Sequence, residues 1–314
     1  WHPEWFTPVR ISCDGFAEAA DVPEGRGTMC SFSGGIDSSF TLWSHMKENE
    51  PIQSERVTHA LYVRDFDIRE SRASQDIKIK RYRQLLKQHD VTLIDVTTNA
   101  VPFHLFNNGA IMYFTYATII TGIASSFEKV IDHFSFSADN VHSFSTIFTI
   151  NHTVVPLFST DTVRTSVFGA SVNKLEKVRE IAKWPGTYEN LACCHEYPEG
   201  PTNCGRCEKC CNITCVLACL GLLGTYTTFP SHVTHRWVRK NLFLMEYIHY
   251  PKMWMYYAWV SKKYAIFFDY TYVLVVSYFL HYYWWMIRII AWPIDKLAVW
   301  VLNPMRTLYK ISFF

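Results

Sequence analysis

The sequence predicts an α/β fold: a doubly wound parallel sheet, then a cysteine-rich segment, then a helical, aromatic C-terminal tail. Three observations predict it. Short apolar runs alternate with helix-like runs over residues 27–190, the pattern of a parallel sheet with right-handed crossovers. A Ser/Gly-rich turn, Ser33-Gly34-Gly35-Ile36-Asp37-Ser38-Ser39, stands at the first strand-to-helix junction. Seven of the ten cysteines fall between Cys193 and Cys215.

Residues 1–26 carry Pro and Trp and end acidic, with Glu18, Asp21 and Glu24. They are expected to be irregular or an edge strand. The chain opens on Trp1 rather than Met, so a longer N-terminal region is expected. No basic segment followed by a short apolar one opens the chain, so no signal peptide is expected. Gly27–Phe32 is the first strand and Ser38–Lys47 the helix after the turn. His59–Val63 is the second strand, and Arg72–His89, basic and periodic, the next helix. Val91–Val96 is the third strand. Leu105–Phe127 is an apolar helix with two interior glycines, and Lys129–His133 is the fourth strand. A nucleotide-binding domain is thus placed at 27–190, a metal-binding segment at 191–223 and a basic tail at 236–314.

In such sheets ligands bind beyond the C-terminal strand ends. Ser33–Ser39, Arg64–Asp67, Thr97–Asn99 and Phe134–His142 should gather there. Asp65 and Asp67 then either touch ribose, Mg²⁺ or substrate, or form a solvated loop. His133, Ser135, Ser137, Asp139 and His142 either line the substrate side or make an ordinary polar loop.

The turn after strand one has the chemistry of an anion site. Gly34 and Gly35 let backbone approach a phosphate closely. The helix N-terminus aims free N–H groups and a positive dipole end at it. Ser33, Ser38 and Ser39 add hydroxyl donors. Asp37 cannot bind bare phosphate, so it implies a metal ion or a backbone clamp. No Gly-Lys-Ser/Thr follows, which excludes a Walker A loop.

The second constellation is Cys204-Gly205-Arg206-Cys207-Glu208-Lys209-Cys210, with Cys194 separated from Cys204 by nine residues. Four soft thiolates at these spacings suit tetrahedral Zn²⁺. An iron–sulfur cluster is the competing reading, because C-x-x-C-x-x-C also occurs in ferredoxin-type runs. Cys193 competes with Cys194 for the upstream position. Cys211, Cys215 and Cys219 recur every four residues and are expected to be packing residues on a helix. The thirteen histidines show no metal spacing that rivals the cysteines, and no Ser/His/Asp nucleophile constellation is visible.

The order S-G-G-x-D-S resembles the PP-loop of the ATP pyrophosphatase, or adenine nucleotide alpha-hydrolase-like, superfamily, whose fold is HUP-like. Joined to Cys194–Cys210, it resembles the 7-cyano-7-deazaguanine synthase family of queuosine biosynthesis. Val155-Pro156-Leu157 and Asn173-Lys174-Leu175-Glu176-Lys177-Val178 add to the likeness, which spans about residues 27–223. The block Asn203–Cys210 is also similar to that of a group of bacterial PP-loop proteins. The resemblance implies a cytoplasmic enzyme that uses ATP and Mg²⁺ and carries a structural Zn²⁺. It places the pyrophosphate on Ser33, Gly34, Gly35, Asp37, Ser38 and Ser39, with Asp37 and Lys174 catalytic. The chain departs from the synthase at Val63–Arg69 and at Cys211–Thr214.

Net charge is only +2, but it is segregated. From Arg236 onward ten Lys/Arg face three Asp/Glu, a balance of +7, leaving −5 for the rest. Such asymmetry points to a tail with its own partner. Tyr270–Ile287 runs 18 residues without a formal charge and is rich in Tyr and Trp. That composition suits a membrane interface, buried helices, or a short span. An anionic membrane surface, tRNA and a second copy of the chain are therefore carried as candidate partners, beside a small-molecule, deazapurine-like substrate.

The expected activity is AMP- and pyrophosphate-forming adenylation of a carboxylate or carbonyl, followed by attack of ammonia. The rivals are a thiolation enzyme, with Cys30, Cys193 or Cys211 carrying sulfur, and a non-catalytic ATP-binding scaffold at membranes.

Overall fold

Five parallel strands form one sheet: β1 Gly27–Ser31, β2 Val57–Arg64, β3 Thr92–Thr97, β4 Ile131–Ser137 and β5 Arg164–Phe168, in the order β3-β2-β1-β4-β5. The computed structural model describes residues 21–66, 70–100, 108–139, 150–194, 203–231 and 249–273, with a few single positions outside these runs. The central strand β1 has Met29 and Cys30 fully buried. Its two faces are both covered, which is why Thr28, Met29 and Cys30 are buried in succession rather than alternately.

Helices lie on both faces. α1 (Ile36–Ser44) and α2 (Arg72–Lys87) contribute Leu42, Ile79, Tyr82 and Leu86 to the core over Cys30, Ala60 and Tyr62. The Ser71 side chain starts α2 by accepting the Ser74 N–H. α3 (Asn108–Ser125) covers the other face, with Ala117, Ile120 and Ala124 against Met29, Leu61, Phe134 and Phe136. α4 (Lys174–Ile181) opens with a capping box between Asn173 and Glu176. α5 (Glu208–Leu220) stops at Gly221, whose φ of 72° suits a residue without Cβ.

A third core joins these parts. Ile36 and Phe40 of α1 and Val178 and Ile181 of α4 pack with Cys211, Cys215 and Cys219 of α5. Trp254 and Tyr257 of α6 (His249–Val260), with Tyr270 and Val273 beyond it, complete it. The three cysteines spaced by four are thus packing residues, as expected.

Several boundaries differ from expectation. β2 is longer than His59–Val63, and α1 begins two residues earlier than Ser38. β4 was expected at Lys129–His133 but runs over Ile131–Ser137. Its serines are buried between β1 and β5, where ladder hydrogen bonds rather than side-chain apolarity define the strand. β5 was not anticipated, because Arg-Thr-Ser-Val-Phe is short and half polar. Among the described residues no helix is long and apolar enough to cross a membrane. Residues 236–248 and the far half of the Tyr270–Ile287 run lie largely outside the described residues, as do Asp67 and His142.

Candidate functional site

The sheet order reverses between β1 and β4, since the chain steps outward to β3 on one side and to β5 on the other. Ser33–Ser39 follows β1 at this crevice, the place where open α/β sheets bind ligands. Gly34 has φ of +77°, and a Cβ there would lie 1.9 Å from the Tyr82 hydroxyl oxygen. Only glycine fits. The turn is braced internally: Ser38 Oγ accepts from the Ser33 N–H at 3.2 Å and donates to the Gly35 carbonyl at 3.1 Å. Ser38 and Ser39 are buried in the first turn of α1, while Ser33 is exposed. Ser33 lies on the surface of the turn, its Oγ 3.2 Å from Ser38 Oγ, and Ser38 shapes the loop.

Asp37, in the first turn of α1, is gripped by two ammonium groups. Lys174 Nζ donates to its two oxygens at 2.7 and 2.6 Å, and Lys177 Nζ donates to Oδ1 at 2.9 Å. Lys177 also donates to the Ala138 carbonyl at 2.6 Å, at the end of β4. Its side chain is 2% exposed. Burial pushes the Asp37 carboxyl up, but Lys174 and then Lys177 overcome this and hold it below its ordinary value. Burial pulls Lys177 down from its ordinary value, with Asp37 opposing. Two ammonium groups thus share the Asp37 carboxylate beside the loop, and the Asp139 carboxylate also acts on Lys177.

The sequence reading named Asp37 and Lys174 as catalytic without pairing them, and gave Lys177 no role. The signal was present: Lys174 and Lys177 stand three apart at the start of one helix and share a face. Asp37 engages both lysines, so the arrangement fits a lysine clamp better than a Mg²⁺ ligand. Mg²⁺ would arrive with nucleotide phosphates, which supply its preferred oxygens.

The cysteine segment is bonded to this loop. Ala192 N–H donates to the Gly34 carbonyl at 2.9 Å. Two residues on, Cys194 meets Cys204, Cys207 and Cys210, with all four Sγ atoms within 4.8 Å of one another. Cys194 Sγ is 3.9 Å from Cys207 Sγ, and Cys204 Sγ is 3.9 Å from Cys210 Sγ. Tetrahedral Zn²⁺ with bonds near 2.3 Å requires sulfurs about 3.8 Å apart. Cys204 Sγ accepts the Cys207 and Arg206 N–H groups at 3.2 and 3.4 Å. Cys210 sits in the first turn of α5, and its hydrogen bond with the Cys193 thiol, together with burial, pushes its own thiol up. These four residues can hold a metal ion such as zinc.

Cys194, not Cys193, completes the set. Cys193 turns to Asn203, donating to its Oδ1 from both N–H at 2.9 Å and thiol at 3.4 Å. Asn203 also donates to the Leu191 carbonyl at 3.0 Å, so one amide holds both arms of the cysteine segment together.

Other expected site residues lie elsewhere or act structurally. Asp65 adopts φ of 56° and accepts from Gln75 at 3.2 Å and Arg72 at 3.1 Å, which ties β2 to α2. His133 is buried near the N-terminal end of β4, opposite the crevice. Its Nε2 is 2.7 Å from Ser166 Oγ, and its Nδ1 lies 3.1 Å from Arg164 and 3.3 Å from Glu55. It cannot line the substrate side, because β4 extends four residues beyond it. Ser137 accepts from Ser31 Oγ between β1 and β4 at 3.3 Å. Asp139 stands at the end of β4 beside Lys177. Cys30 and Cys211 are fully buried, and burial pushes the Cys30 thiol up to about 12, which leaves neither as an accessible nucleophile. No protein-family model matches the chain, and no curated protein is significantly similar to it.

Proposed function

We propose that the protein is a PP-loop enzyme that cleaves ATP between the α- and β-phosphates to activate an acceptor. The observation that carries the proposal is the glycine turn at the sheet's switch point with Lys174 and Lys177 held beside it by Asp37. The turn and the α1 N-terminus would receive the pyrophosphate portion of the nucleotide. The lysines would shift from Asp37 toward phosphate as negative charge arrives, and Asp37 would keep them charged and aimed until then. Such preorganised cations stabilise charge that develops on the departing pyrophosphate.

In the reaction proposed, a carboxylate oxygen of the acceptor attacks the α-phosphorus. The bond from that phosphorus to the bridging oxygen breaks, and pyrophosphate leaves. Ammonia then attacks the acyl carbon, AMP departs with the bonding pair, and loss of a proton leaves an amide. Zn²⁺ on Cys194, Cys204, Cys207 and Cys210 would be structural, since four thiolates leave no position for water. Its place two residues from the Ala192–Gly34 hydrogen bond lets it set the loop's position. A deazaguanine-like carboxylate is the acceptor the sequence resemblance supports best.

The test is product analysis with ATP, Mg²⁺, ammonium and carboxydeazaguanine. AMP and pyrophosphate together with an amide or nitrile base would establish the reaction. AMP formed only when RNA is added would redirect it to tRNA, and Cys193, half-buried beside the loop, would then be the sulfur carrier to substitute. No AMP with either acceptor, under conditions where ATP binds, would favour a non-catalytic ATP-binding protein.

A further inference from the structure

The residues beyond α6 carry an exposed aromatic stripe that the proposed chemistry does not use. Residues 264–273 are helical, as are 275–276, 279 and 282–283. One side of this segment is anchored: Tyr270 and Val273 are fully buried against α5 and α6, and Asp269 is buried with them. The opposite side presents Tyr264, Phe268, Tyr272, Val275, Phe279 and Tyr282 to solvent, spaced by three or four residues. That spacing is the helical period, so the six side chains line one face. Phe268 is 69% exposed and Phe279 71%. Trp259 extends the stripe onto α6, its ring 5.7 Å from that of Tyr264. Contiguous apolar surface of this kind marks an interaction site.

The chemistry of the stripe selects its partner. Three of its six residues are tyrosines with polar tips, and Trp259 adjoins them, the residues favoured where hydrocarbon meets headgroups. Lys262 and Lys263, both exposed, occupy the turn at the start of the stripe. The one acidic residue between 249 and 283 is Asp269, which is buried on the other side. The stripe is therefore bordered by cations, within a tail that carries +7 while the rest of the chain carries −5. An anionic lipid surface matches this charge, whereas the acidic remainder of a copy of the chain would not require an aromatic seam.

We infer that the face formed by Tyr264, Phe268, Tyr272, Val275, Phe279 and Tyr282 docks the protein on an anionic bilayer surface. The helix lies in the plane of the interface with Lys262 on the headgroups, while the Lys263 ammonium rests beside Gly221 at the end of α5. Such helices sink their apolar side roughly 5–10 Å into the headgroup–acyl boundary. The site proposed for ATP is not needed for this contact, and the inference stands apart from it.

The test is cosedimentation of the full chain with phosphatidylcholine vesicles, with and without phosphatidylglycerol. Binding is expected to the anionic vesicles and to weaken as salt rises, since the lysine contribution is screened. Phe268→Ser and Phe279→Ser should each weaken binding about tenfold at fixed salt. Lys262→Glu with Lys263→Glu should weaken it at low salt and make it insensitive to phosphatidylglycerol. In the unaltered protein, brominated acyl chains should quench tryptophan fluorescence, and Trp259→Phe should remove much of that quenching. Failure to bind anionic vesicles would overturn the inference. So would binding unchanged by the serine variants. A dimer in lipid-free solution that either serine variant dissociates would also overturn it, assigning the stripe to a second copy.

Discussion

Replacing Asp37 by Asn tests whether the two lysines depend on one carboxylate. Asp37 Oδ1 lies 2.9 Å from Lys177 Nζ, and Lys177 is 2% exposed. At an effective dielectric of about 20, two unit charges at that distance attract by roughly 6 kcal/mol before desolvation is subtracted. Breaking a buried pair by neutralising one partner typically costs 3–5 kcal/mol. Lys177 keeps its bond to the Ala138 carbonyl, and the Asp37 side chain is one-quarter exposed, so the low end applies. Asp37→Asn should lower stability by about 3 kcal/mol at pH 7. Its stability should also become more pH-dependent. Asp37 opposes the downward pull of burial on Lys177, and without it the folded-state value falls further below 10.5. The unfolded chain then binds more protons than the folded one over a wider interval below 10.5, so stability must rise more with pH there. Urea denaturation at pH 7 and pH 9 would measure this. Lys177→Met in the Asp37→Asn background removes the unpaired charge and should recover more than 1 kcal/mol of the expected additive loss. A variant no less stable than the parent, or strict additivity of the two substitutions, would refute the idea that Asp37 exists to hold these lysines.

Four further outcomes are expected. Cys194→Ser and Cys207→Ser should each lose bound metal, measured by elemental analysis of the purified protein, whereas Cys193→Ala should retain it. Gly34→Ala should destabilise the fold by at least 1–2 kcal/mol from the left-handed backbone alone, with more from the contact with Tyr82. Tyr82→Phe should instead stabilise it by about 1 kcal/mol, because the Tyr82 hydroxyl is buried with no hydrogen-bond partner among the described residues; thermal denaturation separates the two. Burial, and then Arg164, push His133 down from 6.5 to about 4. A histidine lowered in the folded state contributes stability above pH 6.5 that is lost as pH falls toward 4, up to about 3 kcal/mol at 1.36 kcal/mol per unit. His133→Gln should flatten that stretch of the acid denaturation curve.

The two motifs were legible because their chemistry is local. A glycine turn between strand and helix, and four thiols at metal spacing, declare themselves within a few residues. Cys194 and Cys204–Cys210 converge as their spacing implied, because a metal-type cluster needs short, stiff arms and Gly205 permits the tight turn. β4 and β5 were harder to read. Ser135 and Ser137 look like loop residues in sequence, yet both are buried on β4 between β1 and β5, and Thr165 on the edge strand β5 is buried with its hydroxyl on the Val155 carbonyl. The choice of Cys194 over Cys193 was likewise invisible, since it depends on which of two adjacent thiols the fold brings to Cys204, Cys207 and Cys210.

By itself the sequence determined the class of the fold, the glycine turn after the first strand and the thiols Cys204, Cys207 and Cys210 at metal spacing, because each rests on residue type and near-neighbour spacing. Only the tertiary structure brought Lys177 to Asp37 across 140 residues and tied Gly34 to Ala192. It also decided which side of the last aromatic helix is buried and which is left bare. Those outcomes depend on how separate elements pack, and hydrophobic burial, being non-directional, leaves no local mark of its partner in the chain.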